Sequence, residues 1–203
     1  RCYRDWSSDV CSSDLAALAG AAAVVAVLLT SASSGATSGL VAAYAFNEGS
    51  GTTVSDASGN GNTGSISGAT WSSAGKYGSA LSFNGSSSRV SIPNSSSLQL
   101  SSGMTLEAWV NPATVSSAWR DVLEKGNDNY FLMGTTDHSS AAGGGGIIGG
   151  SYCQVFTTSP LPASAWSFLT LTYDGATERL YLNGTQVASL AHTGAITSST
   201  NAL

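Results

Sequence analysis

An all-β fold built from two antiparallel sheets is the class this sequence predicts, on three observations. Met104, Leu106, Ala108 and Val110 alternate with Thr105, Glu107, Trp109 and Asn111. That period of two puts one set of side chains on each face of a strand. Leu169, Leu171 and Tyr173 alternate in the same way with Phe168, Thr170 and Thr172, Asp174-Gly175 interrupts them, Leu180 and Leu182 resume, and Asn183-Gly184 interrupts again. Asn-Gly between alternating runs is the strongest short hairpin signal, so residues 166–190 read as a three-strand meander. Finally, charged residues make up only 9% of the chain while glycine alone supplies 24 positions, against the usual quarter or so of charge. Such a composition suits a turn-rich β-protein, and a sheet with one apolar face buries that face against a second sheet.

The N-terminal residues 1–15 hold no initiator methionine and no periodicity. They read as translated sequencing-adaptor sequence and are set aside as disordered. The alternative is a small redox or metal motif, but the spacing of Cys2 and Cys11 matches no zinc or dithiol pattern. Residues 16–36 carry an uncharged run of Ala, Val and Leu followed by Thr30-Ser-Ala-Ser-Ser-Gly-Ala36. A spanning helix needs about 20 apolar residues, and this run is shorter. It reads as a signal-peptide core with its cleavage region, a hydrophobic helix detached from the sandwich; a buried helix and an uncleaved anchor are the alternatives.

The domain proper is expected over residues 40–203. Leu40 to Phe46 reads as its first strand, and Asn47 to Gly64 as a long loop rich in Gly, Asn, Asp and Ser. Ser79 to Phe83 and Arg89 to Ile92 are short strands, the second stopped by Pro93. Met104 to Val110 comes next, then Arg120 to Glu124 and Tyr130 to Met133 around the turn at Gly126-Asn127-Asp128-Asn129. Thr135 to Gly150, with Gly143-Gly-Gly-Gly146 at its centre, is expected as a ragged strand pair, since glycine weakens strand interiors. Tyr152 to Thr157 is a firmer strand, and Pro160 and Pro162 mark the bend before Trp166.

Several of these segments, in this order, resemble the bacterial laminin-G-like domains of the concanavalin A-like lectin/glucanase superfamily. The resemblance rests on Asp56-Ala-Ser-Gly-Asn-Gly-Asn-Thr-Gly64, Ala80-Leu-Ser-Phe-Asn-Gly85, Thr105-Leu-Glu-Ala-Trp-Val110, Leu123-Glu-Lys-Gly126, Asp128-Asn-Tyr130 and Trp166 through Tyr173-Asp-Gly175 to Leu182-Asn-Gly184. It implies a two-sheet jelly roll, here lacking the final strands that such domains carry. It implies no particular ligand, because fold does not determine function.

The chemistry depends on what is present and what is missing. A net charge of −5 argues against nucleic acid as a partner. The glucanases of the superfamily carry three carboxylates on one strand, spaced Glu-x-Asp-x-Glu or with one more residue. This chain holds no such triplet: Asp121 and Glu124 are three apart, out of phase for one strand face, and Asp174 and Glu178 are four apart, so neither pair has the i, i+2 spacing that sets two carboxyls side by side on a strand. No Gly-x-Ser-x-Gly elbow accompanies His138 or His192. The chain therefore reads as a non-catalytic module, not an enzyme. Its expected ligand is carbohydrate, as polysaccharide or glycoprotein glycan, because sugar rings offer apolar faces to aromatic side chains and hydroxyl edges to polar ones. Trp119, Arg120, Tyr130, Asn127 and Tyr152 are the candidate contacts. A protein-binding adhesive module and a degenerate glucanase are the alternative readings. The mature domain is expected to be secreted or at the cell surface, off the membrane, beside other domains of one parent protein. A structural calcium ion (Ca2+) is expected at the glycine-rich loop, held by Asp56, Asn60, Asn62 and Glu48, since calcium takes carboxylate, amide and backbone oxygens. Cys153 reads as a small buried hydrophobe.

Overall fold

The computed structural model describes residues 39–203 and the backbone of Cys2 and Tyr3. The expectations of disorder over residues 1–15 and of a signal helix over 16–36 lie outside the described residues, those two excepted.

The described chain is all β, with one turn of 3-10 helix at Ser96–Leu98. In chain order the strands are β1 Cys2–Tyr3, β2 Leu40–Ala42, β3 Thr53–Val54, β4 Gly64–Ser67, β5 Thr70–Ser72, β6 Ala80–Ser82, β7 Arg89–Ser91 and β8 Met104–Val110. They continue as β9 Arg120–Lys125, β10 Tyr130–Thr135, β11 Ala141–Ile148, β12 Ser151–Pro160, β13 Ser167–Tyr173, β14 Thr177–Leu182 and β15 Thr185–Ala191. A six-stranded sheet runs β15-β14-β13-β8-β1-β2, and a four-stranded sheet runs β12-β11-β10-β9. The small sheet β3-β4-β7 and the pair β5-β6 complete the fold. All pairings are antiparallel.

Alternation locates the core. Met104, Leu106, Ala108 and Val110 from β8 and Leu169, Leu171 and Tyr173 from β13 are buried, and they meet Leu132, Cys153 and Val155 of the four-stranded sheet. A second cluster gathers Ala42, Tyr44, Phe46, Val54, Leu81 and Leu98 at the other end. The meander expected over residues 166–190 is present as β13, β14 and β15.

Some expectations need correction. Trp109, whose place in the middle of β8 reads as a core position, lies on the face opposite Leu106, half-buried against Phe168 and Tyr77 at ring distances of 5.1 and 6.0 Å. The first strand stops at Ala42, although Tyr44 and Phe46 stay buried. The reason is local: the Ala43 N–H donates to the Asp56 carboxylate and the Ala43 carbonyl accepts from Ala57, so that backbone is taken by the loop. The glycine run is not ragged. β11 is an eight-residue strand paired on both sides, and its glycines are required. A Cβ on Gly145 would lie 2.1 Å from the Cys153 carbonyl oxygen, and one on Gly146 2.5 Å from that of Asn129.

Candidate ligand-binding site

The outer face of the four-stranded sheet is set by its register. Opposite one another across β9, β10, β11 and β12 stand Asp121, Met133, Gly143 and Phe156, and one step along stand Glu124, Phe131, Gly145 and Gln154. Period two puts both rows on one face, away from the core residues Leu132 and Val155. Asp121 and Glu124 share that face in spite of their spacing of three, because the β9–β10 register slips between Leu132 and Met133. A bulge of this kind places two residues opposite one and re-aims the side chains beyond it. It overturns the sequence reading that their spacing keeps them apart.

Aromatic rings cover both ends of this face. Tyr152 stacks on Phe131 at 5.6 Å and remains 48% exposed. Trp119, 39% exposed, sits edge-on to Phe156 at 6.5 Å and to His138 at 6.4 Å, while His138 stacks on Phe156 at 4.1 Å. Glycine makes this possible: a Cβ on Gly143 would come 2.7 Å from the Phe156 ring. The floor between the aromatic groups is therefore backbone at Gly143 and Gly145.

Electrostatics along the β9 side are acidic. Burial, then the nearby Asp128 charge, raises the Asp121 carboxyl, and burial, then Asp121, raises that of Glu124. Burial and the same three carboxylates push the Tyr152 phenol up to about 12. Its hydroxyl thus stays a hydrogen-bond donor at any physiological pH. The Gln154 side-chain oxygen is buried and has no hydrogen-bond partner among the described residues.

A cavity of about 430 Å3 adjoins this face along the outer edge of β9, within the range of small-ligand sites. Trp119, Arg120 and Glu124 line one wall, and Tyr44, Phe83 and Ile92 line others.

The expected contacts thus divide. Trp119, Arg120 and Tyr152 lie at the face or its cavity. Asn127 is exposed at the tip of the β9–β10 turn. Tyr130 does not belong with them: it is 1% exposed in the core and its hydroxyl donates to the Leu98 carbonyl at 3.0 Å. Its in-phase partner is Leu132, so alternation turns it inward. Phe131, Phe156, His138 and Gln154 were missed. The pattern Tyr152-x-Gln154-x-Phe156 was the available signal, since period two sets those three on one face.

The glycine-rich loop is tied together by its own hydrogen bonds. Both Asp56 oxygens are occupied: Oδ1 accepts from the Ala43 and Ser58 N–H groups, each at 2.9 Å, and Oδ2 from the Ser58 hydroxyl at 2.7 Å and the Asn62 N–H at 3.0 Å. Asn60 turns its amide NH2 to the Leu40 and Val41 carbonyls, and Asn62 turns its own to Val41. Only a donor satisfies those carbonyls, so the amide oxygens face elsewhere, that of Asn62 to the Ser95 hydroxyl at 2.6 Å. Glu48 accepts from the Ser55 N–H at 2.7 Å. The expected calcium ligands do not fit a calcium cage in this arrangement, and among the described residues no group of three or more His, Cys, Asp and Glu could hold a metal.

A laminin-G-type family model described as the concanavalin A-like lectin/glucanases superfamily matches residues 84–203, more than half of the chain. The chain belongs to that superfamily. Among solved structures it is similar to the binding domain of Paraclostridial Mosquitocidal Protein 1, at a TM-score of 0.61 and 16% identity, over 75% of this chain and 41% of that one. It is also similar to domain 4 of AbnA, a GH43 extracellular arabinanase from Geobacillus stearothermophilus solved with arabinotriose. There the TM-score is 0.57 and the identity 21%, over 73% of this chain and 74% of that one. At those identities the likeness is one of fold. No curated protein matches the chain.

Proposed function

We infer that this superfamily member is a non-catalytic carbohydrate-binding module that acts outside the cell as part of a larger protein and holds polysaccharide or glycoprotein glycan. The observation that carries the reading is the pair of exposed rings, Trp119 and Tyr152, on one sheet face with acidic acceptors beside them. Sugar rings stack their apolar faces on such rings and donate their hydroxyls to such acceptors. The likeness to a domain solved with arabinotriose supports the same reading. Among the described residues no helix is long and apolar enough to cross a membrane.

Calorimetric titration with arabinotriose and a panel of neutral oligosaccharides tests it. Trp119→Ala and Tyr152→Ala should each raise Kd about tenfold, or about 1.4 kcal/mol. Absence of binding across the panel, or binding indifferent to both substitutions, overturns the reading. New reducing ends that disappear in Glu124→Gln would overturn its non-catalytic part.

One observation favours protein binding as the second reading. β7 and β9 each end their sheets, and the cavity lies between these two edges. Leu203 already pairs with Ile92 there in both directions, at 2.7 and 3.0 Å. Unpaired edges template an added strand, so an extended peptide alternating valine and threonine is the probe. Its binding, with none to any glycan, would favour this reading over the first.

A further inference from the structure

Glu178 is on no candidate surface. It lies opposite Tyr173 on β13, with its side chain 0% exposed inside the sandwich. One carboxylate oxygen is 3.7 Å from Nε2 of His192, whose side chain is 14% exposed. Among the described residues neither Glu178 oxygen and neither His192 ring nitrogen has a hydrogen-bond partner. A buried carboxyl and a half-buried imidazole thus face each other as a pair. The number of protons on that pair sets its charge.

His192 is also where the chain leaves β15. Its backbone N–H still donates to the Ala176 carbonyl, and from there residues 192–203 form a strap across the end of the sandwich. Gly149 donates to Ala195, Ile196 bridges Ile148 and donates to Ser101, and Thr197 donates to Ile147. Ser199 exchanges hydrogen bonds with the Gln99 side chain, Lys125 donates to Asn201, and Leu203 pairs with Ile92. Ala202 and Leu203 line the cavity beside β9. The strap's first residue therefore touches the buried carboxyl, and its last two form a wall of the candidate binding region.

We propose that Glu178 and His192 form a proton-controlled latch: with one proton on the pair the strap 192–203 is held across the two sheets, and loss of that proton releases it and opens the cavity. The groups that face the pair are few. Tyr173 on β13 packs its ring 5.1 Å from that of His192 and donates its hydroxyl to the Gly194 carbonyl at 2.9 Å. Cys153 on β12 is a buried neutral thiol, raised by burial and then by the Glu178 charge. On β14 the next residue, Arg179, belongs to the other face, where it donates to Asp174 at 2.6 Å. No lysine or arginine charge acts on Glu178, and burial alone raises its carboxyl to about 8. Burial likewise lowers the His192 imidazole.

These two shifts fix the direction of the pH dependence. The closed strap favours protonated Glu178, a contribution complete below the ordinary value of 4.5 and lost as pH rises to about 8. It also favours neutral His192, a contribution complete above 6.5 and lost as pH falls. Between 4.5 and 6.5 the two contributions oppose each other, so the equilibrium changes less there than above 6.5. From 6.5 to about 8 the closed form keeps more proton than the open one, and opening increases about eightfold in all, because His192 is still half-charged in the open form at the lower end and Glu178 half-ionised in the closed form at the upper.

Hydrogen exchange of the full chain across this pH range, corrected for the intrinsic rate, tests the latch. Strap amides at 192–203 should lose about eightfold of their protection between pH 6.5 and 8, while β13 amides at 167–173 keep theirs. Glu178→Gln, the neutral isostere, should abolish the strap's dependence and leave β13 protected. Glu178→Leu serves as a second neutral variant. A level strap profile in the wild-type chain, an unchanged profile in both variants, or equal loss at strap and β13 overturns the proposal.

Discussion

Replacing Asp56 with alanine removes the acceptor that ties the glycine-rich loop to the end of β2. Three N–H donors, those of Ala43, Ser58 and Asn62, lose their partner, while the Ser58 hydroxyl keeps the Val41 carbonyl at 3.1 Å. The N–H of half-buried Ser58 recovers a hydrogen bond from water. Ala43 and Asn62, 1% and 3% exposed, do not. A buried donor left without an acceptor costs about 1–3 kcal/mol, so the two together cost about 4 kcal/mol at the middle of that range. In a domain of about 150–250 residues each kcal/mol moves Tm by roughly 2–4 °C, so the expected fall is about 8–16 °C. Asp56→Asn keeps one acceptor oxygen and should lose about half as much. Thermal melts followed by circular dichroism, in calcium and again in chelator, read both numbers. The same fall should occur in either buffer, because the loop is organised by N–H and O–H donors. A wild-type Tm that rises with calcium, a rise that Asp56→Ala abolishes, would refute this account of the loop. So would an Asp56→Ala protein as stable as the parent.

Other substitutions test other parts of the structure. Gly145→Ala should destabilise by about 3 kcal/mol or more in urea unfolding, since its Cβ would meet main chain 2.1 Å away rather than a movable side-chain tip. Lys125→Ala leaves Asn94 Oδ1 and the Asn201 carbonyl without the buried ammonium donor; the expected cost is about 2–4 kcal/mol, again by urea unfolding. In alkaline ultraviolet titration Tyr152 should ionise at about 12. Glu124→Gln should bring it part of the way back toward 10, because burial contributes more than the carboxylates do. Full return to 10 would show that charge outweighs burial there.

The parts of the fold that were legible in the sequence are those set by local periodicity. β8 and the meander alternate because each has one buried face, and those strands formed where the pattern placed them. β11 was misread because glycine propensity is a local quantity. Whether four glycines weaken a strand or let neighbours close over it depends on Phe156, Cys153 and Asn129, which come from other segments. Asp121 and Glu124 converge through a bulge, and nothing in Arg120-Asp-Val-Leu-Glu124 marks which residue goes unpaired. Glu178 is a different case. It stands in phase with Leu180, so alternation itself turns a carboxylate inward, a consequence easily passed over because glutamate is almost never fully buried. The exposed rings were half legible: Trp119 and Tyr152 stand out as aromatics near turns, but their shared face depends on strand order.

The strap has a consequence for the order in which the molecule assembles. Gln99 and Ser199 bind each other across 100 residues of chain, and Lys125 and Asn201 across 76. Loop-closure entropy disfavours such pairings until the elements between them are ordered. During synthesis the meander can pair as soon as its own three strands emerge, yet the end of the sandwich stays open until residues 192–203 emerge in turn. Through that interval Leu132, Leu171 and their neighbours have their sheets but not the closure over them. Exposed apolar surface and free strand edges in such a species favour aggregation. Yield in the cell should therefore respond to substitutions along the strap more steeply than the stability of the finished domain does.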